Sequence, residues 1–152
     1  FEQEPLGTAG ALSLIKNLPD DVFVVTNGDV ITDLNYFDLI EFCKSKSAIG
    51  AMAIKSHEMV NPFGVVELDG MFVSSFKEKP SYISYINAGV YALSPKAIDY
   101  LEFNLVCDMP TLLERIRSSG HPILGYPMHE PWLDVGRHKD LDSIKKIYGE
   151  LK

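Results

Sequence analysis

The fold is decided by residues 22–29, Val22-Phe23-Val24-Val25-Thr26-Asn27-Gly28-Asp29. The first five residues are a continuous run of β-branched and aromatic side chains with one threonine, which is typical of a parallel strand covered by helices on both faces. In open α/β sheets the ligand lies beyond the carboxyl ends of the strands. The stretch therefore predicts a parallel strand over 22–26 and a candidate ligand position at Asp29.

Further elements are predicted on both sides of that strand. The predicted helices are 7–17, 38–46, 108–118 and 140–151, and the predicted strands are 22–26, 49–54, 87–93, 123–128 and 132–135. Asp69-Gly70 separates two strand-like runs and predicts a hairpin turn between them. Ser94-Pro95 and Asp108 are expected to begin helices as N-terminal caps. This order predicts one α/β unit over residues 1–152, with a mixed, mainly parallel sheet and an antiparallel hairpin insertion.

Composition excludes several classes of protein. The 152 residues carry a formal charge of −7, and no basic stripe is available to neutralise the phosphates of a nucleic acid. No apolar run approaches the roughly 18 residues that a membrane span requires, and no signal-peptide pattern opens the chain. We expect no membrane partner and a cytoplasmic protein. Cys43 and Cys107 lie far apart in the sequence, which favours buried, reduced thiols.

Two more motifs carry chemical groups that suit a ligand. Phe76-Lys77-Glu78-Lys79-Pro80 offers a carboxylate for sugar hydroxyls and an ammonium group for a phosphate. Trp132-Leu133-Asp134-Val135-Gly136 places one carboxylate between apolar neighbours, where a buried charge needs a cation or several donors. Each motif also has a structural interpretation. Asn27-Gly28-Asp29 suits a simple turn, the lysine-rich motif a solvated loop, and Asp134 the N-terminal cap of the last helix.

Taken together and in this order, the motifs resemble the sugar-phosphate nucleotidyltransferase family. The resemblance runs from Glu4-Pro5-Leu6-Gly7-Thr8-Ala9-Gly10 through Asn27-Gly28-Asp29, Glu78-Lys79-Pro80 and Asn87-Ala88-Gly89-Val90-Tyr91 to Trp132-Leu133-Asp134-Val135-Gly136-Arg137. Three phrases resemble the guanylyltransferase branch, either the mannose-1-phosphate type or the glucosamine-1-phosphate guanylyltransferases of legionaminic acid synthesis: residues 3–12, residues 61–66 and residues 107–112. The resemblance implies a Rossmann-like, three-layer nucleotide-diphospho-sugar transferase fold.

The resemblance also implies roles for individual residues. It places Mg²⁺ on Asp29 and Asp134, and the sugar phosphate on Lys79, so that Asp29, Lys79 and Asp134 form the catalytic set. The substrate-binding residues that it implies are Gln3, Gly7, Gly64, Glu78, Lys79, Asn87 and Gly89. The substrates implied are an NTP, GTP on the branch resemblance, and a sugar 1-phosphate, and the products are an NDP-sugar and pyrophosphate.

One family motif is missing from the sequence. Family members begin with a Gly-Gly-x-Gly-Thr-Arg-Leu loop that closes around the triphosphate, and no such loop occurs in these 152 residues. We therefore expect the chain to be the C-terminal part of a single nucleotidyltransferase domain, inactive or nearly so alone. We also expect strand 22–26 to have an exposed edge that another chain or a symmetry-related copy covers, as in a homo-oligomer. In the legionaminic acid branch, CBS domains precede the transferase.

Two other functions fit parts of this pattern. A non-catalytic regulatory subunit would bind a nucleotide sugar, but such a subunit has no need for Asp29, Lys79 and Asp134 together. A glycosyltransferase would also place aspartate on Mg²⁺, but its fold favours a local Asp-x-Asp pair, and none occurs in the sequence. Neither alternative explains the full set of motifs.

Overall fold

The computed structural model describes residues 2–135 and contains one four-stranded sheet and two two-stranded sheets. The strands are β1 (Phe23–Thr26), β2 (Val30–Thr32), β3 (Gly50–Val60), β4 (Val65–Asp69), β5 (Phe72–Lys77), β6 (Ser81–Leu93), β7 (Ile123–Pro127) and β8 (Trp132–Asp134). The α-helices are α1 (Gly7–Gly10), α2 (Tyr36–Ser45) and α3 (Met109–Ser118), with 3₁₀ turns at Ala11–Leu14 and Pro95–Tyr100. The α/β class and the mixed sheet are as predicted.

The four-stranded sheet has the order β1-β6-β3-β7. Strands β1, β3 and β7 point the same way, but β6 runs antiparallel between β1 and β3, so only β3 and β7 are parallel neighbours. The prediction that 22–26 pairs in parallel is therefore wrong for the described residues, whereas the expected exposed edge is present there, because β1 lies at the end of the strand order. Its one neighbour is the antiparallel β6, which returns from the hairpin and enters the sheet beside it.

The core lies on both faces of this sheet. Strand β6 supplies Tyr91 and Leu93 to the face covered by α3, where they pack with Met109 and Leu112. On the other face, Val90 and Ala92 pack against Leu39 and Cys43 of α2. Alternate residues of one strand thus serve opposite faces, as the pleat requires. Cys43 and Cys107 are free and buried as expected, and burial raises the pKa of both thiols.

The β4–β5 hairpin is present as predicted, and α3 begins one residue later than the predicted helix 108–118. Strands β4 and β5 pair across Gly70, whose φ of +61° suits the turn. Beyond the sheet, β3 and β6 continue as a paired extension out to Val60 and Ser81. The predicted helix 140–151 lies outside the described residues. No helix within 2–135 is long and apolar enough to cross a membrane.

The first predicted helix is shorter than expected. Instead of a helix over 7–17, the chain forms a single α-turn and a 3₁₀ turn that ends at Leu14. The backbone N–H groups of Ala9 and Gly10 both donate to the Cys107 carbonyl at 2.9 and 3.0 Å. A contact distant in sequence therefore fixes this segment, and the local apolar pattern could not predict it.

Candidate active site

A short antiparallel ribbon brings the two candidate metal ligands together. Strands β2 and β8 pair so that Val30 lies opposite Asp134. The Val135 N–H extends the ladder by donating to the Asp29 carbonyl at 2.8 Å. Asp29 and Asp134, 105 positions apart in the numbering, thus lie next to each other at one end of the ribbon. Val30 and Asp134 form a directly opposed pair, whose Cα atoms lie about 4.5–5.5 Å apart, and Asp29 is the residue next to Val30.

Strand β2 was missed by the sequence interpretation, although a signal for it exists. Val30-Ile31-Thr32 is a run of three β-branched residues directly after Asp29, and β-branched residues favour strands. The ribbon that β2 forms with β8 has three residue pairs. Thr32 Oγ1 donates to the Pro131 carbonyl at 2.9 Å and closes its far end.

A pocket of about 330 Å³ lies beside Asp29. Its lining consists of Thr8, Thr26, Asn27, Gly28 and Asp29. Helix α1 and the segment that follows β1 therefore share one concave surface, at the carboxyl end of a strand where ligands of open α/β sheets bind. Thr8 is not among the site residues that the sequence motifs predicted.

The backbone angle and the close packing at position 7 both favour glycine. Its φ is +75°, and a Cβ there would lie 2.7 Å from Asp108 Oδ1 and 2.8 Å from the Cys107 carbonyl oxygen. The Asp108 carboxylate accepts from the Thr8 N–H at 3.2 Å, and Thr8 Oγ1 accepts from the Met109 N–H at 2.8 Å. The predicted side-chain cap from Asp108 to its own helix is therefore wrong. The threonine caps α3 instead, and Gly7 permits the close approach. Gln3 lies exposed upstream of this turn.

Asn87 and Gly89 lie in an irregular segment of β6. Across the ladder, Tyr91 pairs with Met52 and Asn87 with Ile54, so three residues, 88–90, face the single residue Ala53. Gly89 has φ +72°, and its carbonyl accepts from the Asn27 N–H at 2.9 Å. A Cβ on Gly89 would lie 2.9 Å from Asn27 Nδ2. This bulge therefore contacts the turn that carries Asp29.

The Asn87 side chain is held at both ends of its amide. Its Oδ1 accepts from the Gly89 N–H at 3.0 Å, and its Nδ2 donates to the Tyr91 hydroxyl oxygen at 2.7 Å. Burial raises the pKa of Tyr91, although the hydrogen bond from Asn87 acts in the opposite direction. The phenol therefore stays protonated at neutral pH and fixes the orientation of the amide.

The sugar-side residues meet at the base of the β4–β5 hairpin. The Asn61 N–H donates to the Pro80 carbonyl at 2.9 Å, which sets the two ends of the hairpin side by side. A Cβ on Gly64 would lie 3.2 Å from Glu78 Oε2. Lys79 has a φ of +43°, in the left-handed region that residues other than glycine seldom adopt. Such strain often accompanies a functional position.

The donor set next to Asp29 suits a hard divalent cation. Asp29 and Asp134 are both exposed, so the expectation that Asp134 is a buried carboxylate is wrong, because the end of a two-stranded ribbon is open to solvent. Within residues 2–135, no group of three or more His, Cys, Asp or Glu side chains could hold a metal ion. Mg²⁺ is commonly held by one or two carboxylates together with substrate phosphates and water. Two neighbouring carboxylates fit that arrangement.

Comparison with known proteins identifies the class. The family model described as "Nucleotidyl transferase" matches residues 1–150. The chain belongs to this nucleotidyl transferase family.

Relatives narrow the similarity to one branch of the family. The chain is 33% identical to a mannose-1-phosphate guanyltransferase of Candida albicans over 97% of its own length and 42% of that protein. It is 34% identical to a probable mannose-1-phosphate guanylyltransferase of Arabidopsis thaliana, over 97% of its length and 46% of the relative. The chain thus spans less than half the length of these curated relatives.

A solved structure shows the same fold. The chain superposes on HddC from Yersinia pseudotuberculosis with a TM-score of 0.68 and 26% identity. The match covers 97% of this chain and 64% of HddC. The fold described above is therefore shared with HddC.

Proposed function

We propose that this chain forms the metal-binding and sugar-phosphate-binding part of a sugar-1-phosphate guanylyltransferase. The observation that carries the proposal is the β2–β8 ribbon, which places Asp29 and Asp134 side by side at the end of β1. The choice of GTP is supported by the similarity to mannose-1-phosphate guanylyltransferases. The relatives are more than twice as long as the stretch that this chain matches.

In the proposed reaction, an oxygen of the sugar 1-phosphate attacks the α-phosphorus of GTP. A new P–O bond forms, the bond between the α- and β-phosphates breaks, and pyrophosphate leaves. Positioning and charge neutralisation dominate such a reaction. Mg²⁺, when bound, supplies positive charge against the phosphate oxygens.

The roles of the residues follow from their groups. Asp29 and Asp134 hold the cation, and Lys79 neutralises charge on the sugar phosphate. Glu78, beside the Gly64 backbone, accepts hydrogen bonds from sugar hydroxyls. Further contacts are proposed for Asn87 and Gly89 on the sugar side and for Gln3 and Gly7 on the nucleotide side.

A pyrophosphate-release assay tests the proposal on the natural protein in its full length. Each NTP is combined with mannose, glucosamine, glucose and heptose 1-phosphates in the presence of Mg²⁺. Release with GTP and one of these sugars is expected, and Asp134→Asn should reduce turnover by at least about 100-fold, since a carboxylate ligand is lost. Asp33→Asn, at an exposed aspartate beyond the other end of β2, should retain the wild-type rate.

The possible outcomes separate the alternatives. If no combination of NTP and sugar 1-phosphate releases pyrophosphate, the proposed enzymatic activity is refuted. Tight binding of a nucleotide sugar without any turnover would instead support a non-catalytic regulatory subunit. A near-normal rate for Asp134→Asn, in a protein with an unchanged circular dichroism spectrum, would refute the metal-binding role.

A further inference from the structure

The single tryptophan of the chain connects the two halves of the candidate site. Trp132 lies on β8, two residues before Asp134, and its indole N–H donates to the Ala88 carbonyl at 2.7 Å. Ala88 belongs to the β6 bulge and lies directly between Asn87 and Gly89. One side-chain hydrogen bond thus joins the strand that carries a proposed metal ligand to the segment proposed to contact the sugar.

The Ala88 carbonyl lies where the sheet has an irregularity. Residues 88–90 face only Ala53 on β3, and the regular pairing resumes at Asn87. A buried carbonyl that accepts no hydrogen bond is costly, by about 1–3 kcal/mol. Ala88 is completely buried, and the indole N–H supplies a hydrogen bond to its carbonyl at the irregular part of the ladder.

The ribbon register places the indole and the metal ligand on the same side. In a paired ribbon, directly opposed residues and residues two apart on one strand share a face. Val30, Thr32, Trp132 and Asp134 therefore share one face of the β2–β8 ribbon. This face packs on the bulge, since a Cβ on Gly89 would lie 3.0 Å from Val30 Cγ2.

Packing restricts the indole to this position. The ring packs against a buried cluster that includes Leu34, Ala88 and Met128. The segment that leads into β8 is also fixed, because Lys55 Nζ donates to the Glu130 carbonyl at 2.9 Å. The ribbon therefore packs on the buried cluster, and the indole hydrogen bond joins it to the bulge.

We propose that Trp132 is a positioning residue, which sets the position of Asp134 relative to Asn87 and Gly89 through the hydrogen bond to Ala88. The inference rests on the proposed function, because it assumes that Asp29 and Asp134 hold a divalent cation. It adds that the affinity for the cation depends on a polar atom that contacts neither the cation nor a substrate. Loss of such an outer contact commonly weakens metal binding 10- to 100-fold.

The test compares three forms of the natural full-length protein by Mn²⁺ titration, with free Mn²⁺ followed by electron paramagnetic resonance. Trp132→Phe removes the indole N–H and part of the ring. Benzothienylalanine at position 132 removes only the N–H and keeps the size of the ring. The third form, 5-fluorotryptophan, keeps both. We expect the first two to bind Mn²⁺ at least about tenfold more weakly, and the third to bind like the wild type.

Controls separate positioning from general damage to the fold. Tyr126→Phe removes one hydroxyl group from another aromatic residue of the same cluster and should leave Mn²⁺ affinity unchanged. Circular dichroism checks that each form is folded. In the wild type, the indole N–H should exchange slowly with D₂O, as its contact with Ala88 requires.

Two failures can be told apart. Wild-type affinity in the benzothienylalanine form, or rapid exchange of the wild-type indole N–H, would overturn the role of Trp132 while leaving the proposed function intact. The proposed metal site fails if the wild-type protein does not bind Mn²⁺, or if Asp134→Asn binds Mn²⁺ as tightly as the wild type does. The inference about Trp132 then fails with it. If Trp132→Phe does not fold, the isosteric form decides the question.

Discussion

The β2–β8 ribbon and the β4–β5 hairpin are both two-stranded, but the chain holds them in different ways. The ribbon is attached to the core by the hydrogen bond from Trp132 to Ala88 and by the contact of Val30 with Gly89. The hairpin has its described side-chain bonds within itself: Ser75 and Lys77 both donate to the Glu67 carboxylate. Isolated two-stranded sheets are marginally stable in water, so support from the core matters.

The apolar face of the hairpin shows the same difference. Val66, Leu68, Val73 and Phe76 lie on the side opposite the Glu67 pair and are 46%, 64%, 50% and 79% exposed. On the ribbon, Trp132 and Val30 pack against the buried cluster on the α2 side of the sheet. The ribbon that carries the proposed metal ligands is therefore supported by contacts with the core. Glu78 and Lys79, which are proposed to bind the sugar phosphate, belong to an arm made of the β4–β5 hairpin and residues 78–80. A segment with only local support of this kind opens at low cost in free energy.

The largest expected effect that tests this comparison comes from two glycines with similar backbone angles. Gly89 in the bulge has φ +72° with Asn27 and Val30 in close contact, whereas Gly70 in the hairpin turn has φ +61° and nothing within 4 Å of an added Cβ. Both alanine variants incur about 1–2 kcal/mol for the left-handed backbone. Gly89→Ala incurs about 1–3 kcal/mol more from overpacking.

Urea unfolding of the two variants measures the difference. We expect Gly89→Ala to lose about 3 kcal/mol of unfolding free energy and Gly70→Ala about 1 kcal/mol, with unchanged dependence on urea. Equal losses in the two variants would show that the bulge does not pack tightly against the end of β1, and the description of the ribbon as supported by the core would be wrong.

A second prediction concerns the arm, where function and stability should separate. Lys79 has φ +43°, a conformation that asparagine adopts more readily than lysine. Lys79→Asn should leave the urea midpoint unchanged or slightly raised. It should lower kcat/KM for the sugar 1-phosphate about 10- to 100-fold, because a charge-assisted contact worth about 1.5–3 kcal/mol is lost. Steady-state kinetics of the full-length protein checks this.

A control from the same arm shows what would contradict the role of Lys79. Lys77→Gln removes a neighbouring ammonium group that pairs with Glu67 and that has no proposed contact with substrate. If both variants lower kcat/KM equally, the effect comes from net charge on the arm. Lys79 would then have no specific contact with the phosphate.

The sequence predicted most elements of the fold where a local pattern specifies them. The Asp69-Gly70 turn, the Ser94-Pro95 helix start and the strand before Asn27 all depend on residues adjacent in the chain, and all are present. The candidate site was predicted as a set of motifs, and Asp29 and Asp134 do lie together. Their functional roles are still predictions.

What the sequence missed depends on contacts between distant segments. The antiparallel neighbour of β1 is a strand more than 60 residues away, and no local pattern encodes its direction. The short first helix is set by Cys107, and the bulge at 88–90 by Ala53, Asn27 and Trp132. Strand β2 was different, because its β-branched residues carried a signal, but a three-residue run is too short to be distinguished from a turn.

The smallest expected effect concerns the charge pair on the polar face of the hairpin. Hydrogen bonds from Lys77 and then Ser75 hold the pKa of Glu67 below its usual value, and the Glu67 carboxylate raises the pKa of Lys77. Since the pKa of Glu67 is lowered in the folded state, its contribution to stability is present above the unfolded-state pKa, near 4.5. That contribution is lost as the pH falls through the folded-state pKa.

Carbon-detected NMR titration should give Glu67 a pKa below that of an unpaired glutamate, and Lys77→Gln should raise it toward the ordinary value. Lys79→Gln serves as the control and should leave the Glu67 pKa unchanged. An equal response to both substitutions would mean that the arm's general field, and not the pair with Lys77, sets that pKa, and the hairpin would then lack the local support that distinguishes it from the ribbon.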